Sequence, residues 1–473
     1  MPGNYLHGVE TIRVNRRPRA ISVVKSAVIL LLGTAPVGPA NALTLLLSDR
    51  DAAQFGPQLP GFTMSEALDG IYDQGAATVI ALNVLDTAVH RTTAPDETIA
   101  LDGNGRFKTS KPGLLTLTVK SSDGATTYVK DTDYTIDMVT GAGVRLPSGA
   151  IQAGASLKLG FAYADPSKVT PADIIGTVDI VGRRLGLKAL GDCYNQFGFV
   201  PKILIAPGFA TLSSVSSELI AAASKYGAKA LIDAPVGMTV QQVVASRGPV
   251  NGSNFNTSSP SAILCYPHVQ IADPATGIGT KLQPLSIRMA GVMAAKDMEK
   301  GYHWSPSNTE IKGIVGIERS LTAKIDDPQS EVNLLNEVGI CTVFNSFGTG
   351  YRTWGNRCAN FPTETGLETF IPTTRVQDVI DESIRYFSLP FIDQPFSDAV
   401  VDAIVQSVNQ FMNKLVGDTV LIGGLCWFDP ARNSETERAN GRGVFNYKFT
   451  PPPPFERGTY ESEMTGEYLV SRG

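Results

Sequence analysis

Short apolar runs alternate with helix-patterned segments along most of this chain, and that alternation leaves few folds open. Ser22–Leu32 reads as a buried strand, and Leu43–Leu47 and Val79–Val84 as further strands. Between the latter two lies "MSEALDGIYDQG", a helix that Thr63 or Ser65 can cap and Gly75 can end. Strand, helix and strand at this spacing suggest a βαβ unit. From about residue 174 the alternation continues with a helix near Val178–Leu190, the strand "KILIAP", the helix "VSSELIAAASKYG" and the strand "KALIDAP". It runs on through "AILCYPHVQIAD", a helix over Leu282–Glu299, "GIVGI" and "CTVFNSFGTGYRTWGN". The expectation is an α/β fold built on a mainly parallel sheet with helices on its faces.

Two stretches break this texture. From about Thr92 to Pro166 the sequence is rich in Thr, Gly and Asp, with short alternating runs such as "LLTLTVK", "DYTIDMV" and "SLKLGFAYA". That predicts an inserted all-β domain, a sandwich or barrel. Near the C-terminus, "TRVQDVIDESIRYF" and "SDAVVDAIVQSVNQFMNKLVG" carry apolar residues at helical spacing, ahead of "TVLIGGLCWFD" and terminal strands, an α+β pattern.

The ending constrains partners. Phe445, Tyr447 and Phe449 alternate with polar residues as in a strand, and Pro451–Pro454 then hold the chain extended. Beyond them Tyr460, Met464 and Tyr468 fall on even positions, with Glu461, Glu463 and Glu467 on odd ones. This is an amphipathic strand on a semi-rigid tether with no later chain to complete its sheet. A helix competes for the same residues, which are also four apart, but Gly466 weighs against it.

Composition narrows the function. A formal net charge of -5 argues against nucleic acid as the main partner, since phosphate binding needs clustered positive charge. Five scattered cysteines, never in a C-x-x-C pair, point to free thiols in a reducing compartment. "RRPRAISVVKSAVILLLGTAPVGPANA" imitates a secretion signal, but its charges start well inside the chain and Gly33 breaks its apolar run. No segment approaches the roughly 20 apolar residues of a membrane helix.

Catalytic motifs are poorly represented. There is no P-loop, no G-x-S-x-G elbow and no H-E-x-x-H. "GTGYRTWG" (Gly348–Gly355) fits a hairpin turn better than a dinucleotide fingerprint, because Trp354 sits where a helix should open. "CYPH" (Cys265–His268) could pair a thiol with an imidazole, yet strand-end packing is the simpler reading. "YHWSPSN" (Tyr302–Asn308) reads as a structural loop capped by Ser305 or Ser307. No cofactor or metal site is expected. The alternative kept open is a cytosolic α/β enzyme with a β-rich insertion.

Taken in order, "HGVETIRVNRRPRAISVVKSAVILLLGTAP", "ALDGIYDQGAATVIALNV", "PKILIAPGF", "KALIDAP", "CYPHVQIAD", "GIVGIE", "GYRTWGNRC" and "FNYKFTPPPPFE" resemble the tail sheath proteins of contractile phages. The resemblance is to the branch shared with R-type bacteriocins, and covers nearly the whole chain apart from the inserted segment. Cys358 stands where a small hydroxyl residue would be expected, and "CANFPTETGLETFIPTTRVQ" diverges from the pattern.

The resemblance implies a structural subunit of stacked hexameric rings that polymerise helically around a tail tube. Contraction would drive the tube through the host envelope. It implies an N-terminal arm (1–20), a discontinuous α/β core (21–91 and 167–370), the inserted outer domain (92–166), a C-terminal domain (371–456) and a C-terminal arm (457–473). The arms would add strands to a neighbour's sheet through Val9, Ile12 and Val14 at one end and Tyr460, Met464 and Tyr468 at the other. Phe445, Tyr447 and Phe449 would belong to the receiving sheet. Asp378, Asp381 and Glu382 on the Arg375–Phe387 helix are the candidate tube contact. Implied partners are further copies of the chain, the tail tube protein, and baseplate and tail terminator proteins, without nucleic acid or membrane insertion. The implied location is the virion tail, after synthesis in the host cytoplasm. A phage-derived injection system fits the same residues.

Overall fold

The strand Val28–Gly33 is buried along its whole length and sits inside a nine-stranded sheet. In this computed structural model, which describes residues 21–249, 253–273 and 277–469, the sheet runs in the order Thr309–Glu310, Arg352–Trp354, Ile340–Phe344, Ala262–Cys265, Lys229–Asp233, Ile203–Ile205, Val28–Gly33, Thr78–Asn83, Thr44–Leu46. Its centre is parallel and its flanking strands are antiparallel. Val28, Leu30 and Leu32 enter the core on one face, and Ile29 and Leu31 the core on the other. The Ser213–Tyr226 helix supplies Val215, Leu219 and Ala223 to the first face. Met64–Tyr72 and Leu285–Glu299 supply Leu68, Ile71, Met289 and Met293 to the second. Burial on both faces is why these strands read as continuous apolar runs rather than alternating ones.

Three local expectations are corrected. Thr44–Leu46 pairs antiparallel with Thr78–Asn83, so the parallel βαβ unit is Val28–Gly33, helix Met64–Tyr72 and Thr78–Asn83. Thr63 holds the N-cap position of that helix, but its hydroxyl accepts from the Thr34 N–H instead of capping. The stretch Val178–Leu190 holds no α-helix. Val178 bridges Arg184, and a 3-10 turn follows over Gly186–Asp192. Gly176 and Gly186 decide this, because both have positive φ and a Cβ on Gly176 would lie 1.9 Å from the Leu185 carbonyl oxygen. By contrast, Gly348 and Gly350 do lie in the turn between the antiparallel strands Ile340–Phe344 and Arg352–Trp354.

Between Arg91 and Ala164 the strands pair only with one another, in two antiparallel sheets. Phe107, Val119, Tyr134, Leu157, Leu159 and Phe161 from both sheets share one core. The described chain divides into two compact units, one of residues 25–378 with 453–469 and the other of residues 379–452 with 21–24. The division falls inside the continuous helix Ile371–Ser388, eight residues beyond the boundary expected after residue 370. The smaller unit contains the end of that helix, the helix Asp398–Gly417, and a hairpin of Gly423–Phe428 with Phe445–Thr450. Val401, Ile404, Val408, Phe411, Met412 and Leu415 form the buried stripe of the second helix.

In the larger unit a buried ion pair holds the start of Ile371–Ser388. Arg375 donates to both oxygens of Asp297, at 2.7 Å to Oδ1, and the side chains are 3% and 1% exposed. Removing one member would strand the other charge away from water. Asp297→Ala is therefore expected to destabilise the protein by about 3–5 kcal/mol in urea unfolding, and Asp297→Leu combined with Arg375→Met by far less.

Candidate functional site

In open α/β sheets, ligands bind outside the carboxyl ends of the strands where the strand order reverses. Here that place is beside Val28–Gly33, between its neighbours Thr78–Asn83 and Ile203–Ile205. It is filled by internal bonds. Thr34 N–H donates to the Thr63 hydroxyl at 3.1 Å, Thr63 N–H donates to the Thr34 hydroxyl at 3.2 Å, and Ala35 N–H donates to Asn83 Oδ1 at 2.9 Å.

Further along the same edge lie Asp233, Cys265 and His268, residue types that could serve catalysis. All are buried, and Asp233 Oδ1 accepts from the Ser286 N–H at 2.8 Å. Burial pushes the Cys265 thiol well above its ordinary value, with Asp233 and Cys341 adding to the effect, which disfavours a thiolate nucleophile. His268 Nδ1 lies 3.6 Å from Glu318, not against the Cys265 sulfur. Ser305 Oγ accepts from the Ser307 N–H within the loop and donates to Asn356 Oδ1, and Ser307 Oγ accepts from the Gly355 N–H, so both serines tie the loop to the segment after Arg352–Trp354. Among the described residues, no group of three His, Cys, Asp or Glu could hold a metal ion, and no helix is long and apolar enough to cross a membrane.

The hairpin is chemically different from this closed edge. Phe428 and Phe445 pack with centroids 5.2 Å apart, and Tyr447 stacks with Phe449 at 6.3 Å, on the face that carries buried Cys426. The opposite face leaves Leu425 and Trp427 47% and 38% exposed, with Lys448 beside the Trp427 ring. Two strands alone leave two sheet edges, and such edges pair with further strands unless blocked.

The chain's end supplies a complementary element. Pro451–Pro454 belong to no helix or strand, and Glu456 is gripped by Arg357, whose Nε and Nη2 donate at 3.1 and 2.6 Å while its guanidinium covers the Phe370 ring. Past this root the backbone makes no strand, only a 3-10 turn at Glu467–Leu469. Tyr460, Met464 and Tyr468 are almost fully exposed, at 93%, 102% and 91%. Large apolar side chains held in water on an unpaired backbone are a surface awaiting a partner. From Glu456 to Leu469 the segment can span about 45 Å when extended.

The remaining predicted residues are placed as follows. Val9, Ile12 and Val14 lie outside the described residues. Phe445, Tyr447 and Phe449 share one hairpin face, as their spacing requires. The three acids do not form a free surface. Asp378 pairs with the buried Lys229 ammonium at 2.9 Å, Asp381 accepts from the Tyr447 hydroxyl at 2.5 Å, and Glu382 is buried. Helical periodicity places them near one another but cannot show that their charges are already engaged within the chain. The Arg357–Glu456 clamp carried no sequence signal, because 99 residues separate its members.

Residues 168–359 match the family model for the phage tail sheath protein central domain, and residues 368–465 match that for the phage tail sheath C-terminal domain. The tail sheath protein of Burkholderia phage BcepMu is 53% identical over 473 residues, covering 100% of this chain and 99% of that protein. The chain belongs to the phage tail sheath family. A putative prophage major tail sheath protein of Pseudomonas aeruginosa is 30% identical over 66% of this sheath chain and 77% of its own length. Among solved structures, the fold is shared with the anti-feeding prophage helical sheath in its contracted state, at a TM-score of 0.60 and 16% identity over 98% of this chain and 99% of that one. The sheath complex of the PVC extracellular contractile injection system, also contracted, matches at 0.58 and 12% identity over 99% and 100%. This is a structural sheath protein and not an enzyme, and the enzyme alternative falls with that relationship.

A structural role for the sheet edge has a consequence for stability. Burial raises the pKa of Asp233 despite the opposing effects of His268 and Ser286. A carboxyl whose folded pKa is raised contributes stability that is complete below the ordinary value near 3.9 and is lost as pH rises through the folded value. Asp233→Asn is thus expected to raise the urea midpoint at pH 7, with the gain shrinking as pH falls towards 4.

Proposed function

We propose that this chain is the repeating subunit of a contractile tail sheath, polymerising helically as stacked hexameric rings around a tail tube. Neighbouring subunits are linked by strands that each chain's arms add to another copy's C-terminal hairpin, and contraction drives the tube through the host envelope. The observation that carries this reading is the tail: an amphipathic segment with Tyr460, Met464 and Tyr468 in water, rooted by Arg357 and Glu456 and pairing with none of the described residues. A two-stranded hairpin with open backbone groups is its natural receiver.

Energetics favour such a link without making it irreversible. Ladder hydrogen bonds contribute about 1 kcal/mol each, and ordering the arm costs about 1–2 kcal/mol per residue, so backbone pairing alone roughly breaks even. Burial of Tyr460, Met464 and Tyr468, at about 1.5–3 kcal/mol for each large side chain, tips the balance. Head-to-tail contacts of this kind extend into helical assemblies instead of closing. The energy for contraction would be stored in a kinetically trapped extended lattice, which needs no nucleotide. The other partners in this reading are the tail tube, baseplate and terminator proteins, and the location is the virion tail. The strands of residues 92–166 would face outward.

Negative-stain electron microscopy of the purified protein, beside a version truncated after Glu456, tests the reading. Striated tubes from the full chain and dispersed particles from the truncation are expected. Tubes from both would remove the tail from assembly, and monomers from both at high concentration would overturn the polymerising subunit.

A further inference from the structure

The hairpin has two edges in principle, but one of them is already occupied from within the chain. Asn409, on the Asp398–Gly417 helix, presents its primary amide to Cys426 in the middle of the first hairpin strand. The Cys426 N–H donates to Asn409 Oδ1 at 2.7 Å, and Asn409 Nδ2 donates to the Cys426 carbonyl at 2.9 Å. These are the two bonds that a residue on an adjoining antiparallel strand would make. Two residues away, Gly424 lies against Met412 of the same helix, where an added Cβ would be 3.1 Å from the sulfur.

The same two bonds fix the polarity of the second strand. Cys426 is opposite Tyr447 in the hairpin register. Since its N–H and C=O turn to Asn409, this is a non-hydrogen-bonded pair, and antiparallel ladders alternate. Phe445, Tyr447 and Phe449, opposite Phe428, Cys426 and Gly424, therefore direct their backbone groups away from the first strand. No hydrogen bond from another described residue reaches those backbone groups.

We infer that a neighbouring copy's tail, around Tyr460–Tyr468, adds to this sheet only along the Phe445–Thr450 edge, and that the Asn409 side chain closes the other edge by standing in for a strand residue. The inference rests on the arm-exchange reading above and specifies its geometry. Side-chain chemistry on the two faces agrees with it. A tail strand beside Phe445–Thr450 that turned Tyr460, Met464 and Tyr468 to the aromatic face would extend the row of Phe445, Tyr447 and Phe449. Its Glu461, Glu463 and Glu467 would then lie on the face of exposed Lys448 and of Arg432, which donates to Asn446. The occupant is a second copy, because four consecutive prolines, Pro451–Pro454, directly follow the strand, and their fixed φ and missing N–H groups oppose the tight reversal that pairing with that strand in the same chain would need.

Disulfide trapping in assembled tubes of the full chain decides between the edges. Leu425 and Lys448 are directly opposite one another on the same exposed face, so Leu425→Cys and Lys448→Cys are matched probes, one per strand. Each is combined in turn with Glu461→Cys, Glu463→Cys and Glu467→Cys, then oxidised and run on denaturing gels. The native cysteines are buried, and burial pushes the Cys426 thiol up to about 11, so they stay silent. Side chains on adjacent strands are about 5 Å apart and those two strands away about 10 Å, beyond disulfide reach. A ladder of covalent multimers from Lys448→Cys, and none from Leu425→Cys, is expected. Multimers from Leu425→Cys would overturn the edge assignment while leaving arm exchange intact. Tubes with neither cross-link would overturn both.

Asn409→Ala adds a second arm to the experiment. Opening the first strand's edge should let the Leu425→Cys cross-link appear. A pattern still confined to Lys448→Cys in Asn409→Ala tubes would show that the amide is not the barrier. If that variant does not fold, the matched probes in the native chain still decide the edge.

Discussion

An extended backbone carries a donor and an acceptor at nearly every residue, and each must be paired or left in water. How this chain distributes that requirement accounts for most of its structure. In the large sheet, Val28–Gly33 is paired on both sides and buried on both faces, so its hydrogen bonds are complete within the chain. In the C-terminal hairpin only one side of each strand is paired by the other. A side-chain amide serves the centre of one outer edge, and the remaining edge is left with its groups unpartnered among the described residues. The tail has the reciprocal deficit, a strand pattern with no strand beside it.

The same economy explains why a fold that often hosts enzymes carries no such chemistry here. The carboxyl edge of the parallel sheet is sealed by Thr34, Thr63 and Asn83, and further along it Asp233 meets the first turn of Leu285–Glu299. Groups that would be reactive in a cleft are instead desolvated, which raises the pKa of Asp233 and of Cys265 alike. Main-chain edges of the hairpin and apolar side chains on the tail are instead part of the chain's exposed capacity for interaction.

Much of this was legible without coordinates. The sheet strands were readable because burial on both faces leaves continuous apolar runs, and the two long C-terminal helices because their apolar spacing is regular over many turns. Errors clustered where a non-local contact overrides local pattern. Thr44–Leu46 reads as a parallel strand until its antiparallel pairing is seen. Val178–Leu190 reads as a helix until the close backbone approach at Gly176 is known. Asp378, Asp381 and Glu382 read as a solvated acidic edge until Lys229 and Tyr447 are found beside the first two.

By itself, the sequence determined the alternation of strands and helices, the β-rich character of residues 92–166, the amphipathic tail on its proline tether, and the order of motifs that marks a sheath protein. The first three depend on periodicity, proline geometry and composition, which are properties of neighbouring residues, and the last on resemblance to a known family. Only the tertiary structure decided the strand order, the burial of Arg375 against Asp297, the clamp of Arg357 on Glu456, and which hairpin edge is closed. Each joins groups far apart in the chain at hydrogen-bond distance or strand spacing, and a directional bond between such groups leaves no periodic trace for local pattern to reveal.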